Sequence, residues 1–170
     1  MAEIDLRELF TQMQNGDKAS FANVYQELKQ PVFTICYRIV QSKETAEDVT
    51  HDVFFKLFCS PPDTSVKNIR AWIFRMARNL SIDALRKKMP IAGQDEQSSM
   101  EEPYDHIHLR MDVERALKKL PVEEREILAL HLNADLGFQE IARIVHLSLP
   151  ATYRKYRNAL KHMQSELNGG

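Results

Sequence analysis

Residues 136–163 read LGFQEIARIVHLSLPATYRKYRNALKHM, and this stretch decides the fold class. Its first part carries Ile141, Ala142 and Val145 at helical spacing, and the small side chain of Ala142 allows a second helix to cross closely. Ser148 is a favourable N-cap residue, and Pro150 follows in the first turn, where a missing amide proton costs little. The pattern predicts a short helix, a tight turn and a longer helix.

The longer helix of this pair has two different faces. One stripe is mainly apolar and contains Thr152, Tyr156, Ala159 or Leu160, Met163 and Leu167. Away from it lie polar and basic residues, namely Arg154, Lys155, Arg157, Asn158 and Lys161. A basic outer face on the second helix suits the DNA major groove. Helix-turn-helix patterns also occur in helical proteins that never contact DNA, so the pattern alone leaves both interpretations open.

Most of the remaining chain also has helical periodicity, and no run of alternating residues indicates a sheet. Helices are predicted over residues 5–14, 17–29, 31–41, 44–58 and 68–88, with breaks at Asn15-Gly16, Pro31, Gln41-Ser42 and the loop 59–67. A second helical run covers residues 109–167, with breaks near 120–121, 133–137 and 146–149. We therefore predict an all-α protein with two small helical domains, 1–88 and 109–168, joined by a flexible acidic linker over 89–108.

Charge is distributed unevenly along the 170 residues, although the formal net charge is only −1. Residues 67–88 carry seven basic and one acidic side chain, and residues 143–170 carry five and one. Residues 89–114 carry one basic and seven acidic side chains. Two basic segments with an acidic spacer indicate two places for an anionic partner, but two solvated helix faces would give the same pattern.

The basic segment 68–88, NIRAWIFRMARNLSIDALRKK, separates into two faces at 100° per residue. Its apolar face contains Ile69, Ile73, Met76, Ala77, Leu80 and Ala84, and its opposite face contains Arg75, Arg78, Asn79 and Arg86. Trp72 and Phe74 lie at the two boundaries. Arginines with aromatic residues at their margin suit single-stranded nucleic acid, whereas spacing alone favours a packing role for the two aromatics.

The preceding segment, TAEDVTHDVFFKLF, has a buried stripe and an acidic outer face. The outer face contains Asp48, His51, Asp52 and Phe55. An outward phenylalanine between acids is unusual for a merely solvated surface and indicates a docking patch for a basic protein partner.

Several classes of protein are excluded or disfavoured by the sequence. The N-terminus lacks the basic start and apolar core of a signal peptide, and no apolar run approaches the roughly 18–20 residues of a membrane span. Cys36 and Cys59 are too few for a disulfide framework. We expect a soluble, cytoplasmic protein that does not insert into membranes and needs no metal or cofactor.

Three motifs in this order and spacing resemble the bacterial sigma factors, most closely the extracytoplasmic-function (ECF) group. They are AEDVTHDVFFKLF, NIRAWIFRMARNLSIDALRKK, and LPVEEREILALHL followed by GFQEIARIVHLS. The resemblance assigns residues 1–88 to sigma region 2 and residues 109–168 to sigma region 4. It implies a dissociable subunit that binds core RNA polymerase, directs it to promoter DNA, and is held inactive by an anti-sigma factor, often membrane-anchored.

The resemblance also implies roles for individual residues. It assigns docking on core polymerase to Asp48, His51, Asp52 and Phe55. Recognition of the −10 element falls to Lys67, Asn68, Arg70, Trp72, Arg75, Arg78, Asn79 and Arg86. Recognition of the −35 element falls to Ser148, Ala151, Thr152, Tyr153, Arg154, Lys155, Arg157, Asn158 and Lys161.

The sequence departs from the family pattern at a few positions. His51 stands where the family usually has Gln, and His146 stands where the turn usually has Gly. Thr152, Arg154 and Asn158 stand where Val, Ser and Arg are common. A left-handed residue is expected at His146, because that turn geometry favours Gly and His tolerates it better than most residues.

Two other functions are compatible with parts of the pattern. A stand-alone helix-turn-helix regulator would bind duplex DNA without polymerase and would not need the basic helix at 68–88. A metal site or enzyme could use Asp105, His106 and His108, with His131 or Asp83 as a base, but their spacing matches no closed zinc site.

Overall fold

The computed structural model describes residues 5–63, 65–88 and 107–169. Eight α-helices and no strand occur in these ranges, which confirms the all-α fold class. The helices are α1 (Leu6–Gln14), α2 (Lys18–Val40), α3 (Lys43–Cys59), α4 (Ile69–Lys88), α5 (Ile107–Lys119), α6 (Val122–Asn133), α7 (Phe138–Val145) and α8 (Leu149–Asn168). The acidic linker predicted over 89–108 lies outside the described residues up to position 106.

Polar side chains cap the helices of the N-terminal half (α1–α4). Asp5 accepts a hydrogen bond from the Arg7 amide at 3.0 Å, and Asp17 accepts one from the Ala19 amide at 3.0 Å. At the start of α4, the Asn68 side chain accepts a hydrogen bond from the Ala71 amide at 3.0 Å. Hydrogen bonds from Ser20 and Ala19 lower the pKa of Asp17. These caps satisfy amide protons that have no partner inside the helix, so they fix where each helix begins.

The break predicted at Pro31 is wrong, because α2 runs without interruption from Lys18 to Val40 with Pro31 inside it. Proline removes one backbone hydrogen bond from a helix. Leu28, Val32 and Ile35 are fully buried on both sides of Pro31, so one continuous apolar stripe holds the two parts of α2 against the core. Tertiary packing thus outweighs the local cost of the proline.

The N-terminal half is a bundle in which α2 contacts α1, α3 and α4, and α3 also contacts α4. Its centre is apolar, with Ile35, Leu57, Ile73 and Phe74 fully or almost fully buried. Phe74, which the sequence placed at a face boundary, is a core residue. The described helices include none that is long and apolar enough to cross a membrane.

The C-terminal half (α5–α8) contains the predicted helix-turn-helix, formed by α7 and α8. Ser148 caps α8 by accepting a hydrogen bond from the Ala151 amide at 3.2 Å, and Pro150 lies in the first turn, as predicted. α8 also packs on α5 and α6 around a small apolar cluster of Leu117, Leu120, Leu128 and Ala159. This packing fixes which face of α8 is turned outward.

The two halves pack against each other through α2 with α6 and α4 with α7. Ile127, Leu130, Ile141 and Ile144 of the C-terminal half belong to the same buried cluster as the core of the N-terminal half. The sequence did not predict this contact, since amphipathic patterns show which residues are buried and not which helix covers them.

His146 ends α7 in the left-handed conformation expected from the sequence, with φ 59° and ψ 41°. We expect His146→Gly to raise the free energy of unfolding by up to about 1 kcal/mol. Glycine removes a left-handed cost of about 1–2 kcal/mol, and part of that gain is offset by its greater freedom in the unfolded chain. Urea denaturation followed by circular dichroism would measure the change.

The control is Gln41→Gly, at the other helix end with a similar backbone angle of φ 58°. The Gln41 side chain donates a hydrogen bond to the Arg38 carbonyl at 2.9 Å, so this substitution loses a contact that His146→Gly does not lose. We expect a smaller gain for Gln41→Gly, and an equal or lower stability for His146→Gly than for the unsubstituted protein would contradict the prediction.

Candidate nucleic-acid and protein interfaces

The acidic patch on α3 consists of Asp48, His51, Asp52 and Phe55, and all four residues are exposed. Asp48 is three residues before His51 and four before Asp52, and Phe55 is four after His51 and three after Asp52, which places all four on one helix face. The Phe55 side chain is 69% exposed, the largest value among the large apolar side chains that the structure describes. Val49, Val53 and Leu57 form the buried stripe on the opposite face. An exposed apolar ring on the same helix face as two carboxylates is a suitable contact surface for a basic protein partner.

The basic face of α4 and its preceding loop contains four exposed candidates, namely Lys67, Asn68, Arg75 and Arg86. Asn68 is the helix cap, and its side-chain oxygen is bound to the Ala71 amide. The loop is held to the start of the chain, because Arg7 donates hydrogen bonds to the carbonyls of Val66 and Lys67 at 3.4 and 2.6 Å. The exposed cations therefore extend from a loop of defined position along one side of α4.

The other four candidates near α4 are partly buried. Trp72 packs against the main apolar cluster with part of its surface exposed, in agreement with a packing role. Asn79 accepts a hydrogen bond from Arg78 at 3.2 Å. Arg70 and Arg78 point toward the C-terminal half: Arg70 Nε donates to the Ala134 carbonyl at 2.9 Å, and Arg78 pairs with Glu126. In this arrangement these two arginines are not free to bind DNA.

The outer face of α8 presents most of the predicted −35 residues. Tyr153, Arg154, Arg157, Asn158 and Lys161 are exposed, Ser148 is exposed as the helix cap, and Ala151 is half-buried. The Tyr153 ring packs edge-on against Phe138 of α7 with centroids 5.4 Å apart, so its orientation is fixed by the helix-turn-helix itself. Side chains on the first turns of the second helix are those that reach base edges in this motif.

Two of the −35 candidates have internal partners. Thr152 is fully buried, and its hydroxyl donates to the Ser148 carbonyl at 2.8 Å. Thr152 lies on the apolar stripe of α8, so it faces the interior of the protein and cannot contact DNA in this arrangement. Lys155 Nζ lies 2.5 Å from Glu123 Oε2 of α6, which holds α8 against its neighbour.

Sequence reasoning missed the buried charges of α6. Arg125 is 6% exposed and donates hydrogen bonds to the carbonyls of Leu120 and Ile39 at 3.3 and 2.7 Å. Glu126 is 2% exposed and binds Arg78 through both carboxylate oxygens. Burial raises the pKa of the Glu126 carboxyl, and burial lowers the pKa of Arg125. In the sequence, residues 124–126 read ERE, which is the composition of a solvated helix face, so no local signal indicated their burial.

The described residues contain no group of three or more His, Cys, Asp or Glu side chains that could hold a metal ion. Asp105 and His106, from the alternative metal site, lie outside these residues. His131 is instead part of an aromatic cluster, stacked on Phe138 with ring centroids 4.6 Å apart.

Two family models match successive parts of the chain. Residues 24–90 match the family model for Sigma-70 region 2, and residues 110–163 match the model for Sigma-70, region 4. The region 2 match precedes the region 4 match, and together they cover more than two thirds of the chain. This chain belongs to the sigma-70 family. It is an RNA polymerase sigma factor of the ECF type, as its relatives show.

Among curated relatives, the ECF RNA polymerase sigma factor SigW of Bacillus subtilis is 22% identical over 97% of this chain and 98% of its own length. The ECF RNA polymerase sigma factor RpoE of Cereibacter sphaeroides is 26% identical, covering 89% of this chain and 88% of the relative. The similarity thus extends over nearly the whole of both proteins.

Two solved structures share the fold. CnrH, in complex with the cytosolic domain of CnrY, superposes with a TM-score of 0.74 at 20% identity, covering 97% of this chain and 99% of CnrH. The sigma factor RpoE of Bartonella quintana, in complex with the anti-sigma factor NepR, also gives 0.74, at 19% identity over 87% of this chain and 96% of RpoE.

Proposed function

We propose that this sigma factor uses three separate surfaces during initiation. The acidic patch on α3 docks on core RNA polymerase, the basic side of α4 binds the −10 element, and the outer face of α8 reads the −35 element. Residues 1–88 and 109–168 are the corresponding functional units, with the acidic linker between them. The proposal assigns no chemical reaction to the chain, and it implies a cytoplasmic protein, because bacterial transcription takes place there.

The observation that carries this proposal is the separation of charge on the surface. Asp48 and Asp52 share one face of α3 with the exposed ring of Phe55, whereas Arg154 and Arg157 lie exposed on the second helix of a helix-turn-helix. Acids repel DNA phosphates, so the α3 surface suits a basic protein, and the α8 surface suits DNA. We propose an anti-sigma factor as a further partner, since the structurally similar RpoE of Bartonella quintana was solved with one.

The test is a titration of the protein, labelled fluorescently at its C-terminus, with bacterial core RNA polymerase. We expect saturable binding in the nanomolar range. We expect the free protein to bind promoter duplex weakly at physiological salt, because each basic surface presents only a few cations and such contacts weaken steeply with salt. Nanomolar, sequence-specific duplex binding without polymerase would contradict this dependence of promoter binding on polymerase.

A further inference from the structure

The loop between α3 and α4 contains Lys67 and Asn68, the two −10 candidates that precede α4. Residues 61–62 are both prolines, which have no amide proton to donate. The Asp63 carbonyl accepts a hydrogen bond from the Val66 amide at 3.2 Å, which closes a turn within the loop. These local contacts do not fix the loop relative to the bundle, so its position depends on side chains of other elements.

Three hydrogen bonds from α1 hold both ends of this loop. Arg7 Nη2 donates to the carbonyls of Val66 and Lys67 at 3.4 and 2.6 Å. Gln14 Nε2, at the other end of α1, donates to the Pro62 carbonyl at 2.6 Å. The two donors are seven residues apart, which places them on one helix face and about 10 Å apart along the helix axis. The loop therefore runs antiparallel to α1 and is attached to it near both of its ends.

The apolar face of α1 fixes this helix on the bundle. Phe10 is 2% exposed, and Leu9 and Met13 pack against the main apolar cluster. Arg7 and Gln14 occupy exposed positions, so the packing of α1 does not require a hydrogen-bond donor at either of them. What these two side chains add is the attachment of the loop.

We propose that Arg7 and Gln14 are positioning residues for −10 recognition, which hold the loop so that Lys67 and Asn68 meet the DNA from a fixed place. The inference rests on the proposed −10 function of this loop. Arg7 binds the carbonyl of Lys67 itself, and the next residue, Asn68, caps α4 by accepting a hydrogen bond from the Ala71 amide at 3.0 Å. The peptide that joins the two candidates is thus held by α1 on one side and by α4 on the other.

Holding the loop in advance raises its affinity for the element, because the loop then loses its conformational freedom on folding and not on binding. Arg7 is also an exposed cation, so direct contact with a DNA phosphate is the role that has to be separated from positioning. A phosphate contact carries no sequence information, whereas a displaced loop changes the reading of the −10 bases.

The first measurement is limited trypsin digestion of the free full-length protein, followed by mass spectrometry at the peptide bond after Lys67. Lys67 is exposed, and cleavage there requires the loop to open locally. We expect this cleavage to be about three- to tenfold faster in Arg7→Met and in Gln14→Ala, with helicity unchanged. Lys18→Met and Gln26→Ala, at exposed positions of α2, are the matched controls and should leave the rate unchanged. Equal rates in all five proteins would overturn the proposal.

The second measurement uses the holoenzyme assembled with core RNA polymerase and two fluorescein-labelled promoter fragments, one with an intact and one with a scrambled −10 element. We expect Arg7→Met and Gln14→Ala each to reduce the preference for the intact element about three- to tenfold, at unchanged affinity for core polymerase. Arg7→Lys keeps the charge and one donor group, so it should recover part of the preference. Gln14→Ala changes no charge, so its effect cannot come from a lost phosphate contact.

Two results would assign Arg7 another role or none. An equal loss on both fragments for Arg7→Met, with no effect of Gln14→Ala, would make Arg7 a phosphate contact and overturn its positioning role. If the unsubstituted holoenzyme prefers the intact element and both variants keep that preference, the loop reads the element without α1, and only the positioning role is wrong. If the unsubstituted holoenzyme has no such preference, the −10 assignment of the loop is itself wrong, and the positioning role is overturned with it.

Discussion

Asp48→Lys should lower the affinity of the protein for core RNA polymerase at least about 100-fold. Asp48 is exposed on α3, one turn before Asp52 and two turns before the exposed Phe55 ring, so the new cation would face the same basic partner surface. Placing like charges against each other at a docking surface costs several kcal/mol, and about 3 kcal/mol corresponds to a 100-fold loss. The measurement is the fluorescence titration with core polymerase described above.

The fold should survive this substitution. Lysine has a higher helix propensity than aspartate, and position 48 is turned away from the buried stripe of α3. The matched control is Glu27→Lys, which reverses one exposed acid on α2 and changes the net charge equally. If both variants bound core polymerase as tightly as the unsubstituted protein, the acidic patch on α3 would have no part in docking. An equal loss in both would indicate long-range repulsion instead of a local contact.

Much of the fold could be predicted from the sequence, because the patterns that indicate helices and caps involve residues close together in the chain. The cap at Ser148 and the apolar stripes of α7 and α8 each follow from a few neighbouring residues, whereas the left-handed turn at His146 follows from the family resemblance, in which Gly is usual there. The same holds for the acidic patch on α3, where one helix turn after another brings the four side chains to one face. Pro31 was misinterpreted since its local effect was weighed without the packing of Leu28 and Val32, which keeps α2 continuous.

The contact between the two halves could not be predicted from such local patterns. Arg78 was assigned to the −10 element from its place on the basic face of α4, and nothing in residues 124–126 indicated a buried acid at Glu126. Their pairing joins positions 48 residues apart and depends on how two bundles pack. Thr152 was assigned two conflicting positions from the sequence. The family resemblance placed it among the DNA contacts, whereas helical periodicity placed it on the inward stripe of α8, where the structure buries it.

In α4, the residues that pack in the core differ from those that form its basic face. The core of α4 requires only that Ile73, Phe74 and Ala77 face inward, so the opposite side is free to carry arginines for another purpose. That freedom has a cost where the two halves pack together, because Arg70 and Arg78 need partners inside the molecule there. Glu126 and the Ala134 carbonyl supply them. The part of α4 that we propose to bind DNA is thus stabilised by contacts with its own chain.

Arg154→Ala should weaken recognition of the −35 element by roughly 1–3 kcal/mol, a loss of about 5- to 150-fold. Arg154 is exposed in the second turn of α8, where a recognition helix reaches base edges, and arginine makes two hydrogen bonds to guanine that alanine cannot replace. The measurement is binding of the polymerase holoenzyme to a promoter duplex with an intact −35 element and to one with that element scrambled.

The comparison of the two duplexes separates two roles for Arg154. A base contact predicts a loss on the intact element only, because the scrambled element never offered the correct base edge. An equal loss on both duplexes would make Arg154 a phosphate contact, since phosphates carry no sequence information. Arg115→Ala is the control: it removes an equally charged side chain, 69% exposed on α5, and should leave the preference for the intact element unchanged.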